Sequence, residues 1–373
     1  MQSTHHCITT LDPLGGVQTY IRSLVNHQSK YTDSQVINLF EKSDQSQFKL
    51  LHLHDPKQLL AFKGECPAVI SLHNHSPYCP SGTQYFSTHK TCCDRPMSSL
   101  GCAWGHMVDG CGSRRPPVIL QNLKTSQQEI INLKQKQILV IANSNYMRDR
   151  LIRQGLSPDQ VITLYLGTEI PEKVATNLTS EIHGAQRILF VGRIVPTKGL
   201  EWLLRSMVLL NPSIHLDIAG EGWFRPNAEL LAKKLGIESR ITWHGWCNSM
   251  QLNELYQQCF AVIFPSIWPE PAGLITLEAY IHSRPVIASA VGGIPEYMLH
   301  GETGILVESN NTKQLAEGIS KLADNYETCL QIGAQGYAYH QEKFTLSMHV
   351  KKLDEIYEKA ITLFRPTQPS YNL

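Results

Sequence analysis

Through its second half the chain alternates short β-rich runs with helix-period segments, and few folds accept that pattern. Ile188–Gly192, His215–Gly220, Ile241–Gly245, Ala261–Ser266, Pro285–Ser289 and Gly304–Val307 read as strands. Between them Leu200, Leu203, Leu204 and Met207 recur at the spacing of one helix face. Leu230, Leu231 and Leu235 mark a second helix, ended by Gly236, and Leu252, Leu255, Tyr256 and Cys259 repeat the spacing. Strand and helix in such short alternation predict a parallel sheet covered on both faces.

The first half alternates less cleanly. Cys7–Thr10, Gln35–Phe40, Leu50–His54, Ala68–His73, Ile138–Ser144 and Val161–Leu166 are candidate strands. Val17, Tyr20, Ile21 and Leu24 give a helix directly after Gly15 and Gly16. Between Ser76 and Pro117 the periodicity vanishes and Gly, Pro, Ser and Cys dominate. So long a structureless insert is uncommon in a compact domain and asks for a function or a non-hydrophobic staple. Leu353, Ile356, Tyr357 and Ala360 define a last helix. A length of 373 residues fits two domains. The expected division is 1–180 with the insert at 76–117, then 185–340, then a helix at 345–364, with Glu172–Gln186 as linker.

Composition removes several function classes. Lys plus Arg is 33 and Asp plus Glu is 32, a net charge of +1, which argues against a dedicated nucleic-acid binder. The apolar stretches, Ile138–Ala142 among them, are far shorter than the roughly 18 residues that suggest a bilayer span. Met1–Thr10 holds no Lys or Arg and no apolar core, so no signal peptide is expected and a cytoplasmic location is. In that compartment the 10 cysteines are expected as thiols or metal ligands rather than disulfides.

The strongest chemical signal runs from Ser266 to Ala279, S-I-W-P-E-P-A-G-L-I-T-L-E-A. A buried strand leads into a proline-flanked loop carrying Glu270, a helix opens near Gly273, and Glu278 follows in its early turns. Such sheets bind ligands at the carboxyl ends of their strands, where helix N-termini point inward. Two carboxylates placed there can accept hydrogen bonds from sugar hydroxyls, or simply offset the helix dipole. Arg193 and Lys198 follow a strand that ends in Gly192. Arginine offers a bidentate fork and lysine a point charge, which suit an anionic ligand at this end of the sheet.

These residues resemble a known family. E-P-A-G-L-I-T-L-E-A, S-R-P-V-I-A-S-A-V-G-G-I-P-E and H-G-E-T-G-I-L-V look like the E-x7-E region of family 4 retaining glycosyltransferases. F-V-G-R-I-V-P-T-K-G-L, A-G-E-G (219–222), W-H-G-W (243–246) and the N-terminal L-D-P-L-G-G-V-Q-T-Y match in order. The resemblance implies a GT-B fold, two Rossmann-like α/β domains facing a cleft, with the last helix crossing back to the N-terminal domain. It implies transfer of a sugar from a nucleoside-diphosphate sugar, with retention, to an acceptor. A sugar, a glycan or a lipid-linked or polysaccharide intermediate is expected there, with peripheral association to the inner face of a membrane. The alternatives are a nucleotide-sugar epimerase and a non-catalytic sugar-nucleotide-binding subunit.

The resemblance also implies roles. Glu270 contacts the transferred sugar and Glu278 the ribose hydroxyls. Ala272, Gly273 and Leu274 face sugar and phosphate through their backbone. The base lies near Gly245 to Cys247. Gly16 lies near the diphosphate or acceptor, and His73, with His75 as competing assignment, lies beside the reacting sugar. Gly16 and His73 are expected on one wall of the cleft, and Arg193, Lys198, Glu270 and Glu278 on the other. The acidic D-x-D metal motif is not evident, so Arg193, Lys198 and helix N-termini are expected to do a metal's work, with no cofactor required for catalysis. Two departures concern the first half: H-H-C-I-T-T is more polar than the family's first strand, and Y-L-G-T-E (165–169) stands where Asn-Gly is common. In the insert Cys79, Cys92, Cys93, Cys102 and Cys111 lack the C-x2-4-C pairing of zinc sites. A structural zinc, an iron–sulfur cluster and plain thiols all remain open there.

Overall fold

The computed structural model describes residues 4–7, 16–41, 44–136, 138–171 and 178–365. The glycine loop expected before the first helix, Gly15 included, lies outside the described residues, as do positions 172–177 of the expected linker. The chain divides into two compact units. One comprises Met1–His89, Cys93–Glu169 and Leu346–Leu373, the other Lys90–Cys92 and Ile170–Thr345.

The first unit is built on β1 (His5–Cys7), β2 (Gln35–Ile37), β3 (Leu51–Leu53) and β4 (Ala68–Leu72). Two-residue strands β5 (Tyr85–Phe86) and β6 (Thr91–Cys92) follow in the insert, β6 within the segment that groups with the second unit, then β7 (Leu139–Ala142) and β8 (Val161–Thr163). Six of these strands form one parallel sheet in the order β2-β1-β3-β4-β7-β8. The order reverses between β1 and β3, the switch point where such sheets open for ligands. Helices α1 (Gly16–Gln28), α2 (Ser99–Trp104), α3 (Pro116–Gln135) and α4 (Asn145–Arg153) connect the strands.

Three differences from the sequence expectation are local. The first strand already runs at His5–Cys7, with two histidines as sheet residues, and positions 8–10 of the expected strand lie outside the described residues. The insert is not structureless: Ser98 caps α2 by accepting from the Gly101 N–H, and a π-helical turn at Gly105–Asp109 follows. The 20-residue α3 starts on two prolines, which suit a first turn whose N–H groups are unpaired anyway. Its buried stripe of Ile119, Leu123, Ile130 and Leu133 is diluted by Gln, Asn and Lys, which hides the period.

The second unit holds β9 (Arg187–Val191), β10 (His215–Ala219), β11 (Ile241–Gly245), β12 (Ala261–Phe264), β13 (Val286–Ser289) and β14 (Gly304–Val307). Its parallel sheet runs β11-β10-β9-β12-β13-β14, so the order reverses between β9 and β12. Helices α5 (Ser180–Gly184), α6 (Leu200–Met207), α7 (Arg225–Lys234), α8 (Ser249–Gln258), α9 (Leu274–Ile281), α10 (Thr312–Ala323) and α11 (Tyr326–Lys343) complete it. The short α5 occupies part of what read as linker, capped by Thr179. Ile188, Leu203, Ile218, Ile263 and Ile287 are fully buried in one apolar core. Truncating any of them to alanine costs about 2–5 kcal/mol.

The chain ends on α12 (Leu346–Leu363), which belongs to the first unit and packs on α1 and β4. Its Leu353, Ile356 and Tyr357 are buried.

Candidate functional site

In the second unit the site residues gather around the β9/β12 switch point. After β9 the chain passes Gly192 and exposed Arg193, makes a 3-10 turn at Pro196–Lys198, and enters α6 through Gly199. Gly199 has φ +74°, and a Cβ there would lie 1.7 Å from the Pro265 carbonyl oxygen. Only glycine lets this turn press against the loop that follows β12. Backbone bonds then lock the two loops: the Ile267 and Trp268 N–H groups both donate to Thr197 O, at 3.0 and 3.1 Å.

That locking brings Lys198 to Glu270 across 72 residues of sequence. The Lys198 Nζ donates to Glu270 Oε1 at 2.5 Å and lies 5.0 Å from the centre of the Trp268 ring. Glu270 is buried, and Ser266 Oγ donates to the same carboxylate oxygen at 2.8 Å. The 290–293 turn closes over this loop. Gly293 N–H donates to Glu270 O at 2.7 Å, and a Cβ on Gly292, at φ +59°, would sit 2.4 Å from the Pro269 carbonyl carbon. A buried carboxylate is thus paired and hydrogen-bonded, as its desolvation demands. Arg193 is exposed and forms no ion pair among the described residues.

Ala272 and Gly273 lead into α9, whose first turn carries no acidic residue and no side-chain cap. Its first N–H groups, with Leu274, therefore remain open to an anion. Glu278 sits one turn further on. Tyr256 O–H donates to its Oε2 at 2.8 Å, and burial raises the Glu278 carboxyl above its usual range against that bond. Tyr256 is in turn stacked on His282, centroids 4.8 Å apart. Gly245 ends β11 with φ +70°, and the Cys247 thiol, raised by burial, donates back to Gly245 O at 3.6 Å. Ser266 and Tyr256 are the positioning side chains that motif reading missed. Tyr256 was visible only as one residue of an apolar helix face, and nothing local marks Ser266 as a partner of Glu270.

In the first unit His73 follows β4 and is partly exposed, whereas His75 is fully buried against Tyr78, its Nδ1 2.5 Å from the phenol oxygen. Gly16 is exposed at the start of α1. His73 does not stand alone. Its Nε2 is 3.1 Å from His54 Nδ1, and its Nδ1 is 3.3 Å from Asn143 Nδ2. His54 Nε2 lies 3.1 Å from His6 Nδ1, and His6 Nε2 is 2.7 Å from Gln28 Oε1. His52 bonds Tyr357 and Ser71, and His349 bonds Tyr20. Burial holds His6, His73 and His349 down at about 4, and lowers His52 and His54 well below the ordinary range. These rings are neutral at pH 7. His6, His52 and His54 each bring one ring nitrogen within 4.8 Å of the others.

The cysteines sort into two sets. Cys79, Cys93, Cys102 and Cys111 lie near enough for their charges to interact, and burial together with that proximity pushes Cys111 up to about 12. Cys92 groups with the second unit, its Sγ 3.9 Å from Ile267 O. Among the described residues the donor atoms gathered within 4.8 Å are the three histidine nitrogens, not cysteine sulfurs.

Residues 179–339 match the family model for glycosyl transferases group 1. An uncharacterized glycosyltransferase of Methanocaldococcus jannaschii is 36% identical over 141 residues, 37% of this chain and 36% of that protein. The D-inositol 3-phosphate glycosyltransferase of Mycolicibacterium smegmatis is 33% identical over 187 residues, 49% of this chain and 42% of its own. The chain spans between about a third and three fifths of the length of the curated relatives it matches. Among solved structures, Anabaena HepE in complex with UDP-glucose superposes with a TM-score of 0.74 at 17% identity, over 96% of this chain and 99% of that one. Sucrose-phosphate synthase of Thermosynechococcus elongatus gives 0.73 at 17% identity, over 97% and 100%. These likenesses establish the fold as GT-B, two parallel-sheet α/β domains.

Proposed function

We propose that the protein is a retaining glycosyltransferase that takes its sugar from a nucleoside-diphosphate sugar, within the glycosyl transferases group 1 and of family 4 type. The observation that carries this is the Lys198–Glu270 pair at the switch point of the group 1 domain, 2.5 Å apart, with Arg193 exposed on the same loop and in no ion pair among the described residues. A diphosphate needs fixed positive charge and open N–H groups. Arg193, Lys198 and the first turn of α9 offer both. Lys198 is neutralised by Glu270 at rest, so an arriving diphosphate meets a cation already held in place, and Glu270 is then left to accept from sugar hydroxyls. Glu278, steadied by Tyr256, accepts from the ribose, and the base lies near Gly245 and Cys247.

Relatives and neighbours support this reading by their names: HepE was crystallised with UDP and glucose and with UDP-glucose, and the curated relatives are glycosyltransferases. The transferred group we propose is a hexosyl unit, the acceptor a sugar, glycan or lipid-linked intermediate. The resemblance gives His73 a hydrogen bond to the transferred sugar. No described helix is long and apolar enough to cross a membrane. The test is a panel of UDP-, GDP- and ADP-sugars, read by thermal shift and by release of the nucleoside diphosphate. Stabilisation by one donor class with slow hydrolysis supports the reading. Indifference to every nucleotide, or reversible isomerisation of the sugar without release of nucleotide, overturns it.

A further inference from the structure

Three histidines of the first unit, His73, His54 and His6, form one chain whose hydrogens can be placed from a single backbone atom. Asn143 Nδ2 donates to the Leu72 carbonyl oxygen at 3.1 Å, and a carbonyl can only accept. The face that Asn143 turns to His73 Nδ1 is therefore its NH2, so that nitrogen is a lone pair. A neutral His73 must then carry its hydrogen on Nε2 and donate it to His54 Nδ1. His54 in turn donates from Nε2 to His6 Nδ1, and His6 from Nε2 to Gln28 Oε1. His52 stands beside this chain, its Nδ1 2.7 Å from the Tyr357 hydroxyl and its Nε2 2.8 Å from Ser71 Oγ. Every link from Asn143 to Gln28 runs donor to acceptor in one direction.

We propose that Asn143, His54, His6 and Gln28 are positioning residues that fix His73 as the neutral Nε2–H tautomer. Of the three linked rings, His6 and His54 are buried and His73 alone is partly exposed. Its longest link is the one to Asn143, at 3.3 Å, so a hydroxyl that displaces that amide meets Nδ1 as an acceptor. Gln28 cannot take up a proton, so the chain braces and polarises the ring but carries no proton away. The kinetic consequence rests on the transferase reading above. The tautomer assignment does not.

The test is long-range proton–nitrogen NMR of the 15N-histidine-labelled full chain at pH 7. His6, His54 and His73 are expected as slowly exchanging Nε2–H tautomers. An Nδ1–H form or a rapid mixture at His54 or His73 overturns the proposal. Asn143→Asp, which removes the anchoring donor, should reverse or scramble the His73 tautomer. Gln28→Glu, which keeps an acceptor there, should leave it in place, and an unchanged His73 in a folded Asn143→Asp variant overturns the proposal. Should Asn143→Asp not fold, the wild-type spectrum and Gln28→Glu decide alone. Titration with Co2+ distinguishes the other use of three clustered imidazoles: ligand-field absorption lost in His54→Asn makes this a metal centre and overturns the chain, and a silent titration supports it. With a working donor, Asn143→Asp should lower kcat about tenfold at a donor KM within about twofold. Expected tautomers without turnover on any donor would leave the chain standing and fell the transferase reading.

Discussion

The first unit adds a linked set of buried histidines to an apolar core that includes Leu51, Leu53, Ile70 and Val140. In the first, His6 of β1 stands directly beside His52 of β3, and His54 and His73 continue the set past the strand ends. In the second, Ile188, Ile218, Ile263 and Ile287 lie in one apolar core. Both sheets are parallel and buried, but they meet the cost of burial differently. Apolar strands gain about 25 cal/mol per Å2 removed from water. Buried imidazoles gain only if every nitrogen is paired and no ring is charged. The second unit carries Arg193, Lys198 and Glu270 on the loops that follow its strands. The histidine unit offers hydrogen bonds from its interior.

The largest expected effect breaks the second unit at its loops. Gly199→Ala places a methyl carbon 1.7 Å from Pro265 O, so the turn must unlatch from the loop that holds Glu270. We expect roughly 3 kcal/mol or more of lost stability and no measurable nucleotide binding, read by calorimetry and thermal melting. Retained affinity would show that the latch does not hold the site.

Acid should separate the two units. His6, His52, His54, His73 and His349 in the first unit are neutral when folded and lie below their unfolded range, as do His282 and His340 in the second. Each takes up a proton on unfolding, so stability is present above about pH 6.5 and is lost as pH falls toward 4. At the steepest point the loss is about 1.4 kcal/mol per pH unit for each proton. Carboxyls raised by burial, Glu129 and Asp354 in the first unit and Glu278 in the second, oppose this on both sides. Hydrogen exchange corrected for its intrinsic pH dependence should show the strands at 51–72 opening before those at 187–191 and 261–264 between pH 6.5 and 5. Equal opening would erase the comparison.

Lys198→Ala should weaken donor binding and turnover by about 1.5–3 kcal/mol, ten- to a hundredfold, with the fold intact, because it removes a charge from the proposed phosphate site. Arg193→Ala should act likewise with less effect on stability, since Arg193 is exposed and unpaired among the described residues. Steady-state kinetics and melting check both. The smallest effect is expected at Glu278→Gln. The amide keeps an acceptor for Tyr256, so nucleoside-diphosphate affinity should fall by about 1 kcal/mol with the transfer step little changed. Calorimetry with the nucleoside diphosphate alone reads it, and a larger loss from Glu270→Gln in the same assay would exchange the two roles.

Much of the second unit was legible because its signals are local. Strand runs such as Ala261–Phe264 are continuous apolar segments, and the helix face at Leu200–Met207 shows the 3.6 period within two turns. Parallel strands buried on both faces leave that mark in any sequence. The candidate residues Arg193, Lys198, Glu270 and Glu278 were legible for the same reason, since strand ends and helix starts locate them. First-unit strands of three residues give too few positions for a period, and α3 is too polar to declare itself.

By itself the sequence determined an α/β chain of parallel sheets, the strands of the second unit to within two residues, and which side chains stand at their carboxyl ends. Local periodicity and turn chemistry suffice for that. Only the tertiary structure decided who bonds to whom. Lys198 reaches Glu270 because Gly199 and Gly292 let three loops touch, and Tyr256 meets Glu278 across 22 residues. Asn143 sets a chain of rings drawn from positions 6, 54 and 73. A hydrogen bond is made by distance and direction in space, and a residue's spacing along the chain carries neither once a sheet has brought its strands together.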